Sequence, residues 1–483
     1  MNSYWIDSCS NIMNFEALDK NIETDVCIVG GGITGISCAY YLSKAGLKVV
    51  VLEKDKIAHK TTGNTTAKIT SQHSLFYKYL VNSFSESFAK KYLQANENAI
   101  SNIKNIINYE GISCDFSYQD SYVYTKDNKY LQDIKDEVTT LNSLSFPAEF
   151  VNSIPLKLEI QGAIKFPKQA QFHPLKYISG LCNTILNLNC KIYENTKIYT
   201  VKKEGNYYET YTKNNIIRSK FVIIATNYPI LNFPGFYFLK MYQEKSYVIA
   251  IETKEPLPDG MYISKETPTL SFRTTNYLNK KLLLIAGNGH KTGEKIDLSS
   301  RYTLLEKTAK LMYPDCKILY KWSTQDSISL DKIPYIGNFS KIMKNLYVAT
   351  GFKKWGMTSS NIAANLITDD ILGNENVYTE IFKSTRLEPL KNKEETKNML
   401  KQTTSSLIIE KFKLPNETLE NLKKGEGKII KINNHKIGVY KDNENHIYQV
   451  KPICSHLGCE LSWNNLEKTW DCPCHGSRFD YKR

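Results

Sequence analysis

Asp25-Val-Cys-Ile-Val-Gly-Gly-Gly-Ile-Thr-Gly-Ile36, running on to Leu47-Lys-Val-Val-Val-Leu-Glu53, decides the fold. Val26 to Val29 is a short apolar run that reads as a buried strand and passes directly into Gly30, Gly32 and Gly35. These glycines have the G-x-G-x-x-G spacing. The first permits a tight turn, the second lets backbone N–H groups approach a pyrophosphate, and the third lets the next helix pack close to the strand. Ala39 and Gly46 keep that helix small where it crosses the sheet. A second apolar run, Val49 to Leu52, delivers Glu53, whose carboxylate can accept both hydroxyls of an adenosine ribose. Strand, glycines, helix, second strand and acid in register predict a dinucleotide-binding α/β unit.

At 483 residues the chain is too long for one ordinary core, so two or three domains are expected. The apolar fraction of 41 % suits a globular protein. No apolar run approaches the roughly 18 to 20 residues that span a bilayer. Met1 to Ser8 has neither the basic start nor the apolar core of a signal peptide, so a cytoplasmic location is expected, with no membrane span. The formal net charge of +14 invites a nucleic-acid reading. The lysines are scattered among Asn, Ile and Tyr rather than gathered in a stripe, which argues for a compositional bias and against a nucleic-acid partner.

Of the eleven cysteines, Cys9, Cys27, Cys38, Cys114, Cys182, Cys190 and Cys316 are dispersed, several in apolar runs where Cys acts as a small hydrophobe. Cys454, Cys459, Cys472 and Cys474 crowd together near the end and mark a site.

Ala58 to Thr70 is dense in Thr and small residues, suited to contacting a ligand. Phe76, Leu80, Phe84, Phe88 and Tyr92, extended by Ile100, Ile103 and Ile107, predict a pair of amphipathic helices whose stripe is core. Strands around 114–124 and 162–166 suggest an inserted sheet, and His173-Pro174 opens a further helix to Leu186. Phe221 to Pro229 reads as a buried strand returning beside the first glycine turn, and Leu346 to Met357 as a third return. Small residues open the helix after Met357, where free N–H groups can receive an electron-rich ring edge. Residues 386–406, rich in Lys and Glu, read as a linker. Beyond it short strands at 428–432, 436–441 and 446–453, with turns at Asn433-Asn434 and Asp442 to Asn445, predict a small antiparallel module.

Gly30 to Glu53, Ile223 to Pro229 and Gly351 to Gly356 together resemble the FAD-dependent oxidoreductases of the D-amino-acid oxidase and glycine/sarcosine oxidase family, over about residues 20–380. The resemblance implies an α/β FAD-binding Rossmann-like domain with an inserted α+β substrate domain, spanning 1–385. Its FAD-binding segments fall at about 20–75, 165–240 and 325–380, and its substrate segments at about 76–164 and 241–324. Cofactor contacts are implied for Gly30, Gly31, Gly32, Gly35, Glu53, Lys54, Thr66, Ala225, Thr226, Gly351, Trp355, Gly356 and Met357. Hydride transfer from an amine C–H bond to the flavin is the implied chemistry. Amino-acid-oxidising members clamp the substrate carboxylate with an Arg after the segment matched by Lys321-Trp-Ser-Thr-Gln-Asp-Ser327, which has none. Arg273 or Lys354 is the candidate replacement. Lys68 falls where the family places residues beside the flavin, and a cation there stabilises a reduced, anionic ring. His59 and His73 are candidates for a covalent flavin anchor, set against an ordinary structural role.

Cys454-Ser-His-Leu-Gly-Cys459 and Cys472-Pro-Cys-His-Gly-Ser477 resemble the two boxes of a Rieske [2Fe–2S] module, an all-β iron–sulfur domain expected over 407–483. The resemblance implies Cys454 and Cys472 on one iron and His456 and His475 on the other. Two Cys and two His also suit tetrahedral zinc, the alternative reading. Cys459 and Cys474 match the pair that forms a disulfide between the cluster loops of quinol-oxidising Rieske proteins. Ser477 matches a hydroxyl donor to the cluster, whereas Phe479 stands where those proteins carry Tyr, so a potential in the lower part of about −150 to +300 mV is expected. Arg483 comes soon after the last ligand, so the module reads as truncated.

FAD in series with a one-electron cluster implies an oxidoreductase that takes two electrons from a small amine or amino-acid-like substrate. It would release them singly to an outside acceptor, a ferredoxin-like protein or a quinone. The alternatives are a reductase fed through the cluster and a non-enzymatic redox sensor or relay.

Overall fold

Two large sheets and two small ones organise the chain. The computed structural model describes residues 3–9, 14–294, 296–386, 419–432, 435–455, 458–474 and 476–482. His456 and His475, the turn at Asn433-Asn434 and nearly all of the expected linker lie outside the described residues.

The first sheet has eight strands, with Ile22–Val29 at its centre. Val26 to Val29 are buried, as their unbroken apolar run requires of a strand covered on both faces. This strand pairs in parallel with Val49–Leu52 on one side and Ile216–Ile224 on the other. Ile216–Ile224 in turn pairs in parallel with Leu346–Thr350. The three returns of the chain expected from sequence therefore lie side by side. The helices Ile33–Lys44 and Gly356–Leu372 cover one face and pack on each other.

The second sheet has nine strands, in the order Lys317–Ser329, Met241–Glu252, Lys280–Lys291, Leu270–Tyr277, Met261–Ser264, Ser117–Thr125, Gly162–Gln171 and Lys68–Ile69, with Glu149–Val151 paired beside Gly162–Gln171. It takes in Lys68–Ile69, Gly162–Gln171 and the whole of Lys317–Ser329. Those segments fall partly within the stretches expected for the FAD-binding part. Strand propensity alone does not say which sheet a strand joins; its pairing partners do.

Val248, Ala250, Leu284, Ala286 and Trp322 of this sheet pack into the core shared with the first domain. Tyr247, Ile249, Leu283 and Ile285 face the other way, onto Leu305 and Met312 of the helix Ser300–Met312. The aromatic stripe expected after residue 76 forms two helices, Tyr77–Ser83 and Glu86–Tyr109, the second capped by Ser85, whose Oγ accepts from Phe88 N at 3.1 Å. The helix Pro174–Asn187 starts where predicted, with Pro at its first turn and His173 Nδ1 accepting from Lys176 N.

Beyond residue 418 come two three-stranded antiparallel sheets. One is Gly427–Ile432, His435–Lys441 and Ile447–Val450; the other is Ser462–Asn464, Thr469–Asp471 and Arg478–Asp480. No helix among the described residues is long and apolar enough to cross a membrane.

Candidate active site and iron–sulfur centre

The glycine loop is shaped by what a side chain would strike. Gly30 has φ +112°, and a Cβ there would lie 2.6 Å from the Ala225 carbonyl oxygen. At Gly35 a Cβ would fall 1.9 Å from the Gly30 oxygen, and at Gly31 it would meet Ile57 and Glu53. Gly32 stands at the cap of the helix Ile33–Lys44 with no side chain of its own, so that end offers backbone N–H groups, of which Ile33 N is taken by Thr62 Oγ1. Glu53 is buried, its Oε2 accepting from Gly31 N at 2.8 Å and its Oε1 from Asp55 N at 3.0 Å. Each carboxylate oxygen keeps a lone pair for a ribose hydroxyl. This cradle fits the pyrophosphate and ribose of FAD. Lys54, next along, is exposed and pairs with Asp55.

Thr62 Oγ1 accepts from Ile33 N at 3.0 Å, which brings the Thr-rich segment onto the loop. The carbonyls of that segment are taken up by side chains from elsewhere: Asn64 O by Trp322 Nε1, Thr65 O by Trp5 Nε1, Thr66 O and Ala67 O by Arg273 Nη1. The short N-terminal helix Tyr4–Ser8, capped by Ser3, buries its Trp5 here. Arg273 is buried and lies over the Trp5 ring. Burial pushes its pKa down to about 9. The guanidinium expected as a substrate clamp thus donates from Nε and Nη1 to main-chain oxygens and braces the loop.

Lys68 is buried on the edge strand, its Nζ donating to Ser271 Oγ at 2.6 Å and Tyr262 O at 3.0 Å. No ion pair to it is seen among the described residues. Burial, reinforced by the charge of Arg273, holds its pKa well below the usual lysine value.

On the third return, Gly351 has φ +73° and Trp355 stands at the N-terminus of the helix Gly356–Leu372 without a side-chain cap. Lys354 Nζ reaches Glu244 Oε1 at 2.5 Å, so the second expected clamp is ion-paired. Glu244 and Asp326 are cross-strand neighbours on Met241–Glu252 and Lys317–Ser329. Burial lifts Asp326 to about 6, a rise opposed by Lys354 and aided by Glu244. Glu244 was missed in the sequence, because nothing local distinguishes it from other strand carboxylates.

His73 stacks on Trp355, ring centroids 4.7 Å apart. Its Nε2 lies 2.9 Å from Thr70 O, which can only accept, so Nε2 carries the proton and Nδ1 accepts from Tyr92 OH at 2.8 Å. Both ring nitrogens are engaged. Burial, with Lys353 adding to it, pushes His73 down to about 3. An unfolded His titrates at 6.5, so below that pH the unfolded chain binds a proton that the folded chain refuses. Stability is therefore expected to fall as pH drops from 6.5 toward 3, by about 4 to 5 kcal/mol from this residue. Thermal unfolding between pH 7 and 4 is expected to show a shallower acid loss in His73→Asn than in the parent.

In the C-terminal module Cys454 and Cys472 are buried, and Cys459 and Cys474 form a disulfide, the pair implied by the Rieske resemblance. The sulfurs of Cys459, Cys472 and Cys474 lie within 4.8 Å of one another. Two tight turns present the ligand boxes: Gly458 N donates to Cys454 O, and Gly476 N to Cys472 O at 2.8 Å, both glycines with positive φ. Two buried cysteines outside the disulfide, presented on paired loops beside it, fit the cysteine half of a [2Fe–2S] site. The cluster would hang from Cys454 and Cys472, and His456 and His475 complete the set implied from sequence.

The cluster loops rest on the first domain. Gly476 O accepts from Gln325 Nε2 at 2.9 Å, and a Cβ on Gly293 would strike the Pro473 backbone at 2.4 Å. Beside them Lys245, fully buried on Met241–Glu252, pairs with Glu467 of the module, which also engages Arg478 and Ser323.

The family model described as FAD dependent oxidoreductase matches residues 25–370, and that of the Rieske [2Fe-2S] domain matches 414–483. The chain is 39 % identical to the Rieske 2Fe-2S iron-sulfur protein YhfW of Bacillus subtilis, over 99 % of this chain and 94 % of that one. The gamma-glutamylputrescine oxidoreductase of Escherichia coli is 23 % identical over 77 % of this chain and 89 % of its own. Glycine oxidase from Geobacillus kaustophilus superposes with a TM-score of 0.64 at 18 % identity, covering 76 % of this chain and all of that one. Glycine cradle, paired cysteine loops and these matches agree: the chain belongs to the FAD-dependent oxidoreductase family and carries a C-terminal Rieske [2Fe-2S] domain.

Proposed function

We propose that this protein is a dehydrogenase that oxidises a small amine or amino-acid-like substrate and passes the electrons one at a time through its Rieske cluster to an external acceptor, a ferredoxin-like protein or a quinone. The observation that carries the reading is the seating of the Cys472 loop on the flavin-binding domain through Gln325 and Gly293. FAD would supply a two-electron hydride acceptor and the cluster a one-electron site, so the two together would convert two-electron transfer into one-electron transfer.

Support for an amine comes from two sides. The relatives named gamma-glutamylputrescine oxidoreductase and glycine oxidase carry amine compounds in their names. In this chain Glu244 and Asp326 present two carboxylates beside the Trp355 loop, a setting that suits an ammonium group. Lys354, paired with Glu244, exchanges partners in this reading when a substrate carboxylate arrives. Lys68, buried without an acid partner among the described residues, is the candidate for balancing negative charge on the reduced ring.

An anaerobic reductive titration, followed by visible absorbance and low-temperature EPR together, tests the proposal. Reduction of the flavin by an amine is expected to be followed by a rhombic cluster signal in the same molecule. Flavin that stays reduced beside an oxidised cluster would sink it. Cluster reduction preceding flavin reduction, with an external one-electron donor, would instead establish the reverse, reductase direction.

A further inference from the structure

We propose that Gln325 is the positioning residue that couples flavin and cluster, a proposal that rests on electrons passing between the two groups. Its two ends lie in two different sites. Its main-chain oxygen accepts from Thr61 Oγ1 at 3.0 Å and from Asn227 Nδ2 at 3.2 Å. Thr61 adjoins Thr62, whose hydroxyl caps the helix at the glycine loop. Asn227 is two residues beyond Ala225, whose carbonyl abuts Gly30, and its amide also donates to Thr61 Oγ1.

At the other end, Gln325 Nε2 donates to Gly476 O at 2.9 Å and to Gln243 Oε1 at 3.2 Å. Gly476 N in turn donates to the carbonyl of Cys472 at 2.8 Å. One side chain and three hydrogen bonds therefore join the edge of the dinucleotide cradle to the main chain of a cluster cysteine. Gln325 Oε1 is buried and has no hydrogen-bond partner among the described residues. Gly293 also abuts the Pro473 backbone, and the Gln325 amide bonds directly to the cluster loop at Gly476.

Electrons tunnel better through bonds and short hydrogen bonds than across gaps. Polar groups next to a cluster ligand also set its potential and hold its loop in place. With both groups bound, the flavin would supply two electrons and the cluster would accept them one at a time, and Gln325 would hold the Cys472 loop in place for each one-electron transfer. A one-electron acceptor outside the protein must empty the cluster before the second electron follows.

Gln325→Leu keeps the main-chain oxygen and removes the amide. Gln325→Asn keeps an amide but draws it back from Gly476. Each holoenzyme is photoreduced anaerobically at its flavin, and the growth of the cluster EPR signal is followed by rapid freezing, with the cluster midpoint potential measured separately. Both variants are expected to hold FAD and cluster, with cluster reduction slowed by about 10- to 100-fold and the potential shifted. A wild-type rate in either variant overturns the proposal. If Gln325→Leu loses its cluster, the rate in Gln325→Asn decides by the same criterion. Parent protein that shows no flavin-to-cluster transfer refutes the relay reading itself, an outcome distinct from parent and variants transferring equally.

Discussion

Gly35→Ala is expected to abolish FAD binding and to destabilise the first domain by about 3 kcal/mol or more. The added Cβ would sit 1.9 Å from the Gly30 carbonyl oxygen, with Ile28 Cγ2 at 3.2 Å behind it. The obstacle is backbone, so no rotamer change relieves it. The helix Ile33–Lys44 would have to move off the strand Ile22–Val29, and its N-terminus is the part of the cradle that faces the pyrophosphate. Gly46→Ala is the control. It lies at the far end of the same helix, and its Cβ would meet nothing within 4 Å, so only its φ of +84° costs energy. Flavin content after purification, with thermal unfolding of both variants, checks the expectation. FAD-replete Gly35→Ala would show that the helix has room to shift.

Glu467→Ala is expected to release the Rieske module from the first domain at a cost of about 3 to 5 kcal/mol. Lys245 would then be fully buried without its ion-pair partner, with Asp471 acting on it only from beyond ion-pair distance. Burial and Arg478 already lower its pKa against the raising effect of Glu467. Arg478 would keep Asp471, at 3.1 Å, so the loss falls chiefly on Lys245. Replacing both partners, as in Lys245→Met with Glu467→Met, removes the unpaired charge and is expected to recover most of the loss, because apolar side chains of similar volume tolerate burial. Hydrogen exchange on the strand Met241–Glu252 and along 472–476 reads the docking directly. Equal protection in the parent and Glu467→Ala would mean that Gln325 and Gly293 hold the module without the ion pair.

Different parts of the molecule were legible to different depths. The glycine loop was readable because its tightest constraint is local, Gly35 against the Gly30 carbonyl oxygen, although Gly30 itself answers to Ala225 far along the chain. The cysteine boxes were readable for the same reason, each box being one tight turn closed by its own glycine. The helices Tyr77–Ser83 and Glu86–Tyr109 were readable too, from the spacing of their apolar residues.

The roles of three cations, Lys68 and Arg273 on the second sheet and Lys354 on the third return, were not legible in this way. Lys68, Arg273 and Lys354 were singled out because their residue type suits a substrate or a flavin. A side chain's chemistry depends on its partners, and theirs come from far along the chain. Arg273 reaches Thr66 and Ala67, Lys354 reaches Glu244, and Lys68 reaches Ser271. The sequence offered no reason to look at Lys245 or Glu467, nor to see Gln325 as a bridge.

By itself, then, the sequence determined the two cofactor-binding folds, the cradle for FAD and the cysteine pair for the cluster, because short motifs carry those constraints within a few residues. Only the tertiary structure decided which buried charges are already paired and that the cluster loop rests on the flavin domain. Those facts depend on strands of one sheet, and on two domains, meeting across more than a hundred residues of chain, and no local pattern encodes such a meeting.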